Sequence, residues 1–186
     1  MKVEDAVKGI LNEIGEDPNR EGLKDTPERV KRLYKEITSG YNEDPNEIIN
    51  GAIYEMDYDE MVIIKDIEYY SLCEHHMLPF FGKAQIAYIP KKKVIGLSKI
   101  PRIVEVYARR LQVQERMTVQ IANFLNETLK PKGVAVVVNG YHLCMAMRGI
   151  RKSDANMLTS SMLGAFRNDE RTRAEFLSLI GQNSQK

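Results

Sequence analysis

Apolar side chains in the first part of the chain follow the period of a helix. In residues 3–15 they recur every three or four positions, which predicts an amphipathic helix. A second helix is predicted to start at Thr26, a good N-cap residue, with Pro27 in the first helical position. The pattern therefore predicts a helical N-terminal segment, residues 1–50, which residues 51–60 connect to the rest of the chain.

The apolar period changes after residue 60. β-branched and aromatic residues cluster in short runs typical of strands, and three further helical stretches are also present. This order of helices, strands, helices and strands predicts an α+β domain with an antiparallel sheet over residues 51–186. The predicted elements of this domain are strands at 61–70 and 83–89, a helix that Pro101 opens with Ile103, Val104, Tyr107 and Leu111 buried, a helix at 114–129, and a helix at 172–180 that Asn168 caps.

A hairpin is the strongest local signal in the chain. Two apolar runs, 134–138 and 141–147, flank Asn139-Gly140, a dipeptide that favours the tight turn of a two-residue hairpin loop. Alternate residues of a strand share one face, so His142, Cys144 and Arg148 are expected to point the same way.

Composition narrows the possible functions. The chain has 186 residues with 43% hydrophobic and 28% charged, which indicates a globular protein that needs no disulfides. A net charge of +1 argues against a general nucleic-acid binder. The longest uncharged run, residues 133–147, is too short to span a membrane. With no export signal visible at the N-terminus, a cytoplasmic location is expected.

All three histidines and both cysteines fall in two short clusters. The first is Cys73-Glu-His75-His76 on a predicted turn, and the second is His142-Leu-Cys144. Thiolate sulfur and imidazole nitrogen are ligands that Zn²⁺ prefers. A Cys-x-x-His turn with a distant cysteine supplies three ligands, which leaves one position open for water as in catalytic zinc sites. Two histidines would then remain for proton transfer.

Two other interpretations of these clusters stay open. Cys73 and Cys144 are compatible with small buried hydrophobic residues, although that is the weaker interpretation for the joint pattern. A structural zinc site in which a second histidine is the fourth ligand competes more strongly.

Two weaker signals lie at the starts of two predicted helices. Ser98, Lys99 and Arg102 lie at the predicted start of a helix, where backbone N–H groups and positive side chains attract anions such as phosphate. Glu115 opens the long helix and has the chemistry to accept hydrogen bonds from guanine. From its position alone, however, Glu115 is better interpreted as an acidic residue that stabilises the first turn of the helix through the helix dipole.

Several motifs together resemble GTP cyclohydrolase I. The chain is similar to this family over nearly its whole length after about residue 20, and no motif position departs from the family pattern. Gln85 replaces a histidine found in many relatives, but it is not among the residues to which a role is assigned below. The segments that carry the resemblance are TPERV (26–30), SLCEHHMLPFFGKAQIAYIP (71–90), VIGLSKIPRIVEVYARRLQVQERMT (94–118), YHLCMAMRGIR (141–151) and GAFRNDERTRAEFLSLI (164–180).

The resemblance implies a reaction and a role for each site residue. Enzymes of this family convert GTP and water to formate and 7,8-dihydroneopterin triphosphate, the entry to folate and tetrahydrobiopterin synthesis. By similarity, one Zn²⁺ per chain is held by Cys73, His76 and Cys144, and protons are moved by His142 and His75. By the same resemblance, guanine is bound by Glu115, with Gln114 nearby, and Ser98 assists ribose opening. The triphosphate is bound by Lys99, Arg102, Arg148 and, with them, Arg29. Glu74 is expected to orient the metal turn, which is the predicted turn that carries Cys73 and His76.

The resemblance also implies a fold and an assembly. The family has the tunnelling fold, in which antiparallel sheets with helices on one face join across subunits into a barrel. It typically assembles as a homodecamer of two stacked pentamers with active sites between subunits. Residues far apart in one chain, such as Arg29 and Cys73, are therefore expected to meet across an interface.

Two other functions remain to be separated from this one. A different tunnelling-fold enzyme, acting on another pterin or purine, would keep the metal but would not release formate. A nucleotide-binding module with a structural zinc would have four protein ligands and no open coordination position.

Overall fold

The computed structural model describes residues 1–181, so the end of the predicted range 51–186 lies outside the described residues. The chain forms two compact units, Met1–Ser39 and Gly40–Lys186. The predicted division between residues 50 and 51 stays a prediction.

The N-terminal unit contains the two predicted helices. They are α1 (Val3–Glu13) and α2 (Thr26–Ile37), and an ion pair joins them, with 2.6 Å between Lys31 Nζ and Glu4 Oε1. The start of α2 differs by one residue from the prediction. Thr26 is the first helical residue, and Asp25 occupies the cap position without a side-chain cap bond.

The second unit is built on a five-stranded sheet of order β5-β2-β3-β6-β7. Neighbouring strands are antiparallel except β2 and β5, which pair in parallel over two residues. β1 and β4 form a separate antiparallel pair. The elements of this unit are a 3₁₀ turn (Ser39–Asn42), α3 (Pro45–Ile49), β1 (Ile53–Glu55), β2 (Val62–Cys73), β3 (Pro79–Ile89), β4 (Lys93–Ile95), α4 (Lys99–Ala108), β5 (Leu111–Gln112), α5 (Gln114–Leu129), β6 (Gly133–His142), α6 (Leu143–Ala146), β7 (Met157–Gly164), α7 (Ala165–Asn168) and α8 (Glu170–Gly181).

The sheet is covered on both faces. Helices α4 and α5 pack on one face, where the buried side chains of Ile103, Met117 and Ile121 meet those of Ile86 and Val136. On the other face, α7 and α8 form a smaller cluster through Phe166 and Phe176, whose rings meet edge to face 5.5 Å apart. The α+β class with preceding helices is confirmed, and the second helical layer is an addition to it.

The predicted hairpin at 134–147 is wrong. Residues 133–142 form one continuous strand, β6, which pairs with β3 on one side and β7 on the other. Gly140 lies inside this strand because there is no room for a side chain: a Cβ there would lie 2.1 Å from Gln114 Oε1. The glycine therefore marks a close approach within a strand and not a turn.

Several element ends also differ from the prediction. Helix α4 begins at Lys99, not at Pro101, and ends at Ala108, so Leu111 lies in β5. Asp169, and not Asn168, caps α8, since its carboxylate accepts hydrogen bonds from the Arg171 N–H and the Thr172 hydroxyl. Strands β1, β4, β5 and β7 were not predicted. Among residues 1–181, no helix has both the length and the apolar character needed to cross a membrane.

Helix α5 offers a test of the main core. Ile121→Ala removes a fully buried side chain and should lower the free energy of unfolding by about 2–5 kcal/mol. Val119→Ala on the exposed face of the same helix should change it by less than about 0.5 kcal/mol. Urea unfolding followed by circular dichroism measures both. Equal effects of the two substitutions would contradict this packing.

Candidate active site

The first cysteine–histidine cluster forms a tight turn between β2 and β3. Cys73 ends β2, and its backbone N–H donates to the Leu78 carbonyl at 2.8 Å while its own carbonyl accepts from Met77 N–H at 2.8 Å. Met77 has a left-handed backbone, with φ of 55°, which lets the chain reverse. The turn buries Cys73 and leaves His75 and His76 exposed.

The second cluster lies where β6 passes into α6. His142 is the last residue of the strand, and Cys144 lies in the short helix that follows. The predicted alternation of His142, Cys144 and Arg148 along one strand face is therefore wrong. Sheet register brings the two clusters together instead, because Phe80, at the start of β3, pairs with His142.

Three potential metal ligands converge at this end of the sheet. One ligand atom each from Cys73, His76 and Cys144 lies within 4.8 Å of the others. Tetrahedral zinc with Zn–S bonds of about 2.3 Å and Zn–N bonds of about 2.0 Å separates its donors by about 3.5–3.8 Å. Two sulfurs and one imidazole nitrogen at this spacing fit such an ion. These three residues could hold a metal.

His75 lies beside this group without belonging to it. Its Nδ1 is 3.7 Å from Cys73 Sγ, yet among the described residues the cluster of mutually close ligand atoms contains His76 and not His75. Among residues 1–181, the group of mutually close ligand atoms therefore has three members.

Glu74, in the turn that carries Cys73 and His76, forms an ion pair with an arginine of α5. Its carboxylate pairs with Arg116 Nη2, and this hydrogen bond holds the pKa of Glu74 below its ordinary value. Arg116 also donates from Nε to Gln112 Oε1 at 3.0 Å, and the Glu74 N–H donates to the Gln112 carbonyl at 3.0 Å. The metal turn is thus tied to β5 and to the first turn of α5.

His142 is held on two sides. Its ring stacks on Phe80, with centroids 4.6 Å apart and an angle of 3° between the planes, and its Nε2 lies 3.0 Å from Gln114 Oε1. Burial lowers the pKa of His142, while the negative charge of Glu115 acts in the opposite direction. Burial also raises the pKa of the Cys144 thiol, as does the neighbouring Cys73.

Gln114 and Glu115 begin α5 but have opposite environments. The side chain of Gln114 is fully buried, and its amide donates to the carbonyls of Val138 and Met157, both at 3.0 Å. Glu115 is exposed and has no side-chain hydrogen bond or ion pair among residues 1–181. Its carboxylate is therefore available to a ligand, close enough to act on the charge of His142.

The predicted phosphate-binding residues carry unpaired charge. Ser98 caps α4 and is exposed, Lys99 begins the helix, and Arg102 lies in its first turn. Within the described part of the chain, no acid pairs with Lys99, Arg102 or Arg148. Arg148 acts electrostatically on Cys144, which places its charge near the metal-ligand group.

Arg29 belongs to the N-terminal unit. It is exposed on α2, where its Nη2 is 3.6 Å from the Asp25 carboxylate. Its role in phosphate binding stays a prediction.

The sequence did not identify Phe80 and Arg116 as supports of this site, and it did not indicate that Gln114 contacts His142. Phe80, Arg116 and the hydrogen-bonding role of Gln114 all depend on partners distant in sequence. Phe80 and Arg116 lie within segments quoted for the family resemblance, but nothing in their spacing indicates what they contact.

Comparison with known proteins identifies the family. The family model described as GTP cyclohydrolase I matches residues 3–181. GTP cyclohydrolase 1 of Leptospira biflexa is 59% identical over 182 residues, which is 98% of this chain and 100% of the relative. The proteins of the same name from Campylobacter jejuni and Chlorobaculum tepidum are each 56% identical, over 99% and 96% of this chain and 97% and 80% of theirs.

A solved structure of the apo form of archaeosine synthase QueF-Like is also similar, with a TM-score of 0.46 and 19% identity over 56% of this chain and 93% of that one. The family model and the full-length relatives agree with each other and with the motifs around the metal-ligand group. The chain belongs to the GTP cyclohydrolase I family.

Proposed function

We propose that this chain converts GTP and water to formate and 7,8-dihydroneopterin triphosphate, the first step of folate and tetrahydrobiopterin synthesis. One observation carries the proposal: Cys73, His76 and Cys144 bring their ligand atoms together in a chain of the GTP cyclohydrolase I family. His75 Nδ1 lies 3.7 Å from Cys73 Sγ, and His142, on which the charge of Glu115 acts, precedes Cys144 by two residues.

The metal-ligand group would hold one Zn²⁺ per chain. When bound, the metal supplies Lewis-acid activation of water for attack at C8 of the guanine ring. The preference for zinc rests on the donor set of two sulfurs and one imidazole nitrogen.

Histidines would carry the protons of the reaction. His142 is proposed to exchange protons with the substrate as the imidazole ring of guanine opens, and His75 to assist as formate leaves. His142 suits this role because burial lowers its pKa, which keeps the ring in the neutral form near pH 7. A neutral imidazole both accepts and donates a proton.

Guanine and ribose would be bound by residues at the starts of two helices. Glu115 is proposed to accept hydrogen bonds from the N1–H and 2-amino group of guanine, which its exposed, unpaired carboxylate permits. Ser98 is proposed to assist ribose opening before rearrangement and ring closure. Its exposed hydroxyl makes no side-chain cap bond.

Lys99, Arg102 and Arg148 would hold the triphosphate, with Arg29 contributed across an interface. The chain carries a net charge of only +1, so the roughly four negative charges of GTP require a local cationic cluster. The absence of acidic partners for Lys99, Arg102 and Arg148 within residues 1–181 supports this role, since their charges are not already neutralised.

Assembly into a decamer of two pentamers, with active sites between subunits, is part of the proposal. The sheet leaves the outer edge of β7 without a partner strand in the described chain, and β2 pairs on its outer side only at Leu72 and Cys73. Unpaired strand edges readily pair with another chain, so sheets of neighbouring subunits have edges through which to join. A cytoplasmic location suits the two cysteines, which are free thiols.

The direct test follows both products from GTP with zinc-loaded protein. We expect formate and a dihydropterin, seen by its near-ultraviolet absorbance, in equal amounts. A substrate panel of other purines and pterins serves as the control. Zinc bound at one per chain with neither product would contradict the proposed activity, and a cobalt-substituted sample would then test for a closed four-ligand site.

Two substitutions should separate metal binding from proton transfer. We expect Cys144→Ser to lose metal and activity together, because it removes a ligand. His142→Ala should keep the metal and lose about 10²–10⁴-fold in kcat, the usual size of acid–base catalysis. Metal analysis and steady-state kinetics measure both. Turnover at the parental rate by the His142 variant would contradict its role.

Lys99→Ala should weaken GTP binding. Loss of a hydrogen bond to a charged group costs about 1.5–3 kcal/mol, so KM for GTP is expected to rise about 10- to 100-fold. Lys91→Ala is the matched control, since Lys91 is exposed just after β3 and lies outside the predicted site. If both variants raise KM equally, the effect is only one of net charge and Lys99 does not bind the triphosphate.

A further inference from the structure

The side-chain N–H groups of Gln114 are fully used within the protein. The side chain is fully buried, and its amide nitrogen donates toward the carbonyls of Val138 and Met157 and toward Thr159 Oγ1, at 3.0, 3.0 and 3.1 Å. Its Oε1 faces His142 Nε2 at 3.0 Å. A buried amide in this environment would have to break bonds to β6 and β7 before it could contact guanine.

The neighbouring groups determine which way this amide points. Backbone carbonyls only accept hydrogen bonds, so the NH₂ group must face Val138 and Met157. The threonine pair agrees with this orientation. Thr118 Oγ1 donates its hydrogen to the backbone carbonyl of Gln114 at 2.7 Å. In the contact between the two hydroxyls, Thr159 must therefore donate to Thr118. The Thr159 oxygen is then an acceptor for the side-chain amide of Gln114.

The amide orientation in turn determines the tautomer of His142. With its NH₂ group turned toward the carbonyls, Gln114 presents Oε1, which can only accept, to His142 Nε2. The hydrogen of the neutral imidazole must therefore be on Nε2, and the free lone pair is on Nδ1. The stacked ring of Phe80 holds the imidazole plane, so both the tilt and the tautomer of His142 are held.

We infer that Gln114 is a positioning residue for His142: it holds the Nε2–H tautomer of His142 and leaves Nδ1 as the nitrogen that exchanges a proton with the substrate. This replaces the role in guanine binding that the resemblance implied for Gln114, and leaves that role to Glu115. The inference rests on the proposed function of His142.

The surrounding backbone is built to admit this amide. Gly140 lies next to Gln114 in β6, and any side chain there would meet Gln114 Oε1 at 2.1 Å and the Tyr69 hydroxyl at 2.6 Å. The glycine opens the space in which Gln114 reaches from α5 across β6 to β7. A residue that served only to start a helix would need no such opening.

The tautomer is measured first, on the unmodified, zinc-loaded protein. The chain contains only three histidines, so solid-state ¹⁵N NMR of histidine-labelled protein gives few signals, and the signal of His142 is the one that His142→Ala removes. We expect its proton on Nε2. A proton on Nδ1 with a bare Nε2 would overturn the inference, whether or not the protein turns over GTP.

Kinetics of Gln114→Met tests the positioning role. Methionine fills similar space without the acceptor, and loss of such an orienting partner typically costs about 10- to 100-fold. We expect that loss in kcat, with KM for GTP changed less than about threefold and metal content unchanged, because Gln114 contacts neither substrate nor metal. Gln85→Met is the matched control. It removes a glutamine of β3 that accepts a hydrogen bond from the Asp66 N–H, and it should keep the parental kcat.

A double substitution decides between positioning and direct binding. If Gln114 acts only through His142, Gln114→Met should cause no further loss in the His142→Ala background, so the two effects should not add. An undiminished loss in that background, or a raised KM with unchanged kcat, would overturn the inference. If the unmodified protein makes no product from GTP, the proposed function fails, and the tautomer measurement still tests the hydrogen bond.

Discussion

The pairing of β3 between β2 and β6 is the interaction on which the site depends. Its register places Leu72 opposite Pro79 and Phe80 opposite His142, so the end of β2, the start of β3 and the end of β6 lie side by side at one end of the sheet. Both cysteine–histidine clusters lie at that end. A shift of the register by one residue would move His142 off Phe80 and turn it to the other face.

The site also depends on a buried polar network that has no unpaired member. Gln114, Thr118, Thr159 and His142 satisfy one another and two backbone carbonyls, and Ser71 Oγ is the sole buried side-chain oxygen or nitrogen in the described residues without a partner. Such a network holds its members in one arrangement, because breaking any bond leaves a buried group unsatisfied. By contrast, Glu115 and Lys99 have no side-chain hydrogen bond or ion pair among residues 1–181.

Most of the fold follows from local pattern. Helix α5 has the predicted bounds because a 16-residue amphipathic stretch shows several turns of one period. The same period located α1, and β-branched and aromatic content located β2, although the ends of both differ from the prediction. The hairpin failed because Asn139-Gly140 satisfies the chemistry of a turn, whereas in the structure glycine is needed for the approach of Gln114. Residue pattern alone does not distinguish a glycine that bends the chain from one that makes room.

The sequence by itself determined the chemistry of this protein: which residues can bind a metal, their grouping in two clusters, and the family to which the motifs belong. These properties depend on side-chain types and on short spacings, and both are given directly by the sequence. Only the tertiary structure decided how the pieces act together, since contacts of Gln114 with Val138, Thr159 and His142 join elements 24 to 45 residues apart. Such contacts arise from sheet register and helix packing, and no local pattern encodes them.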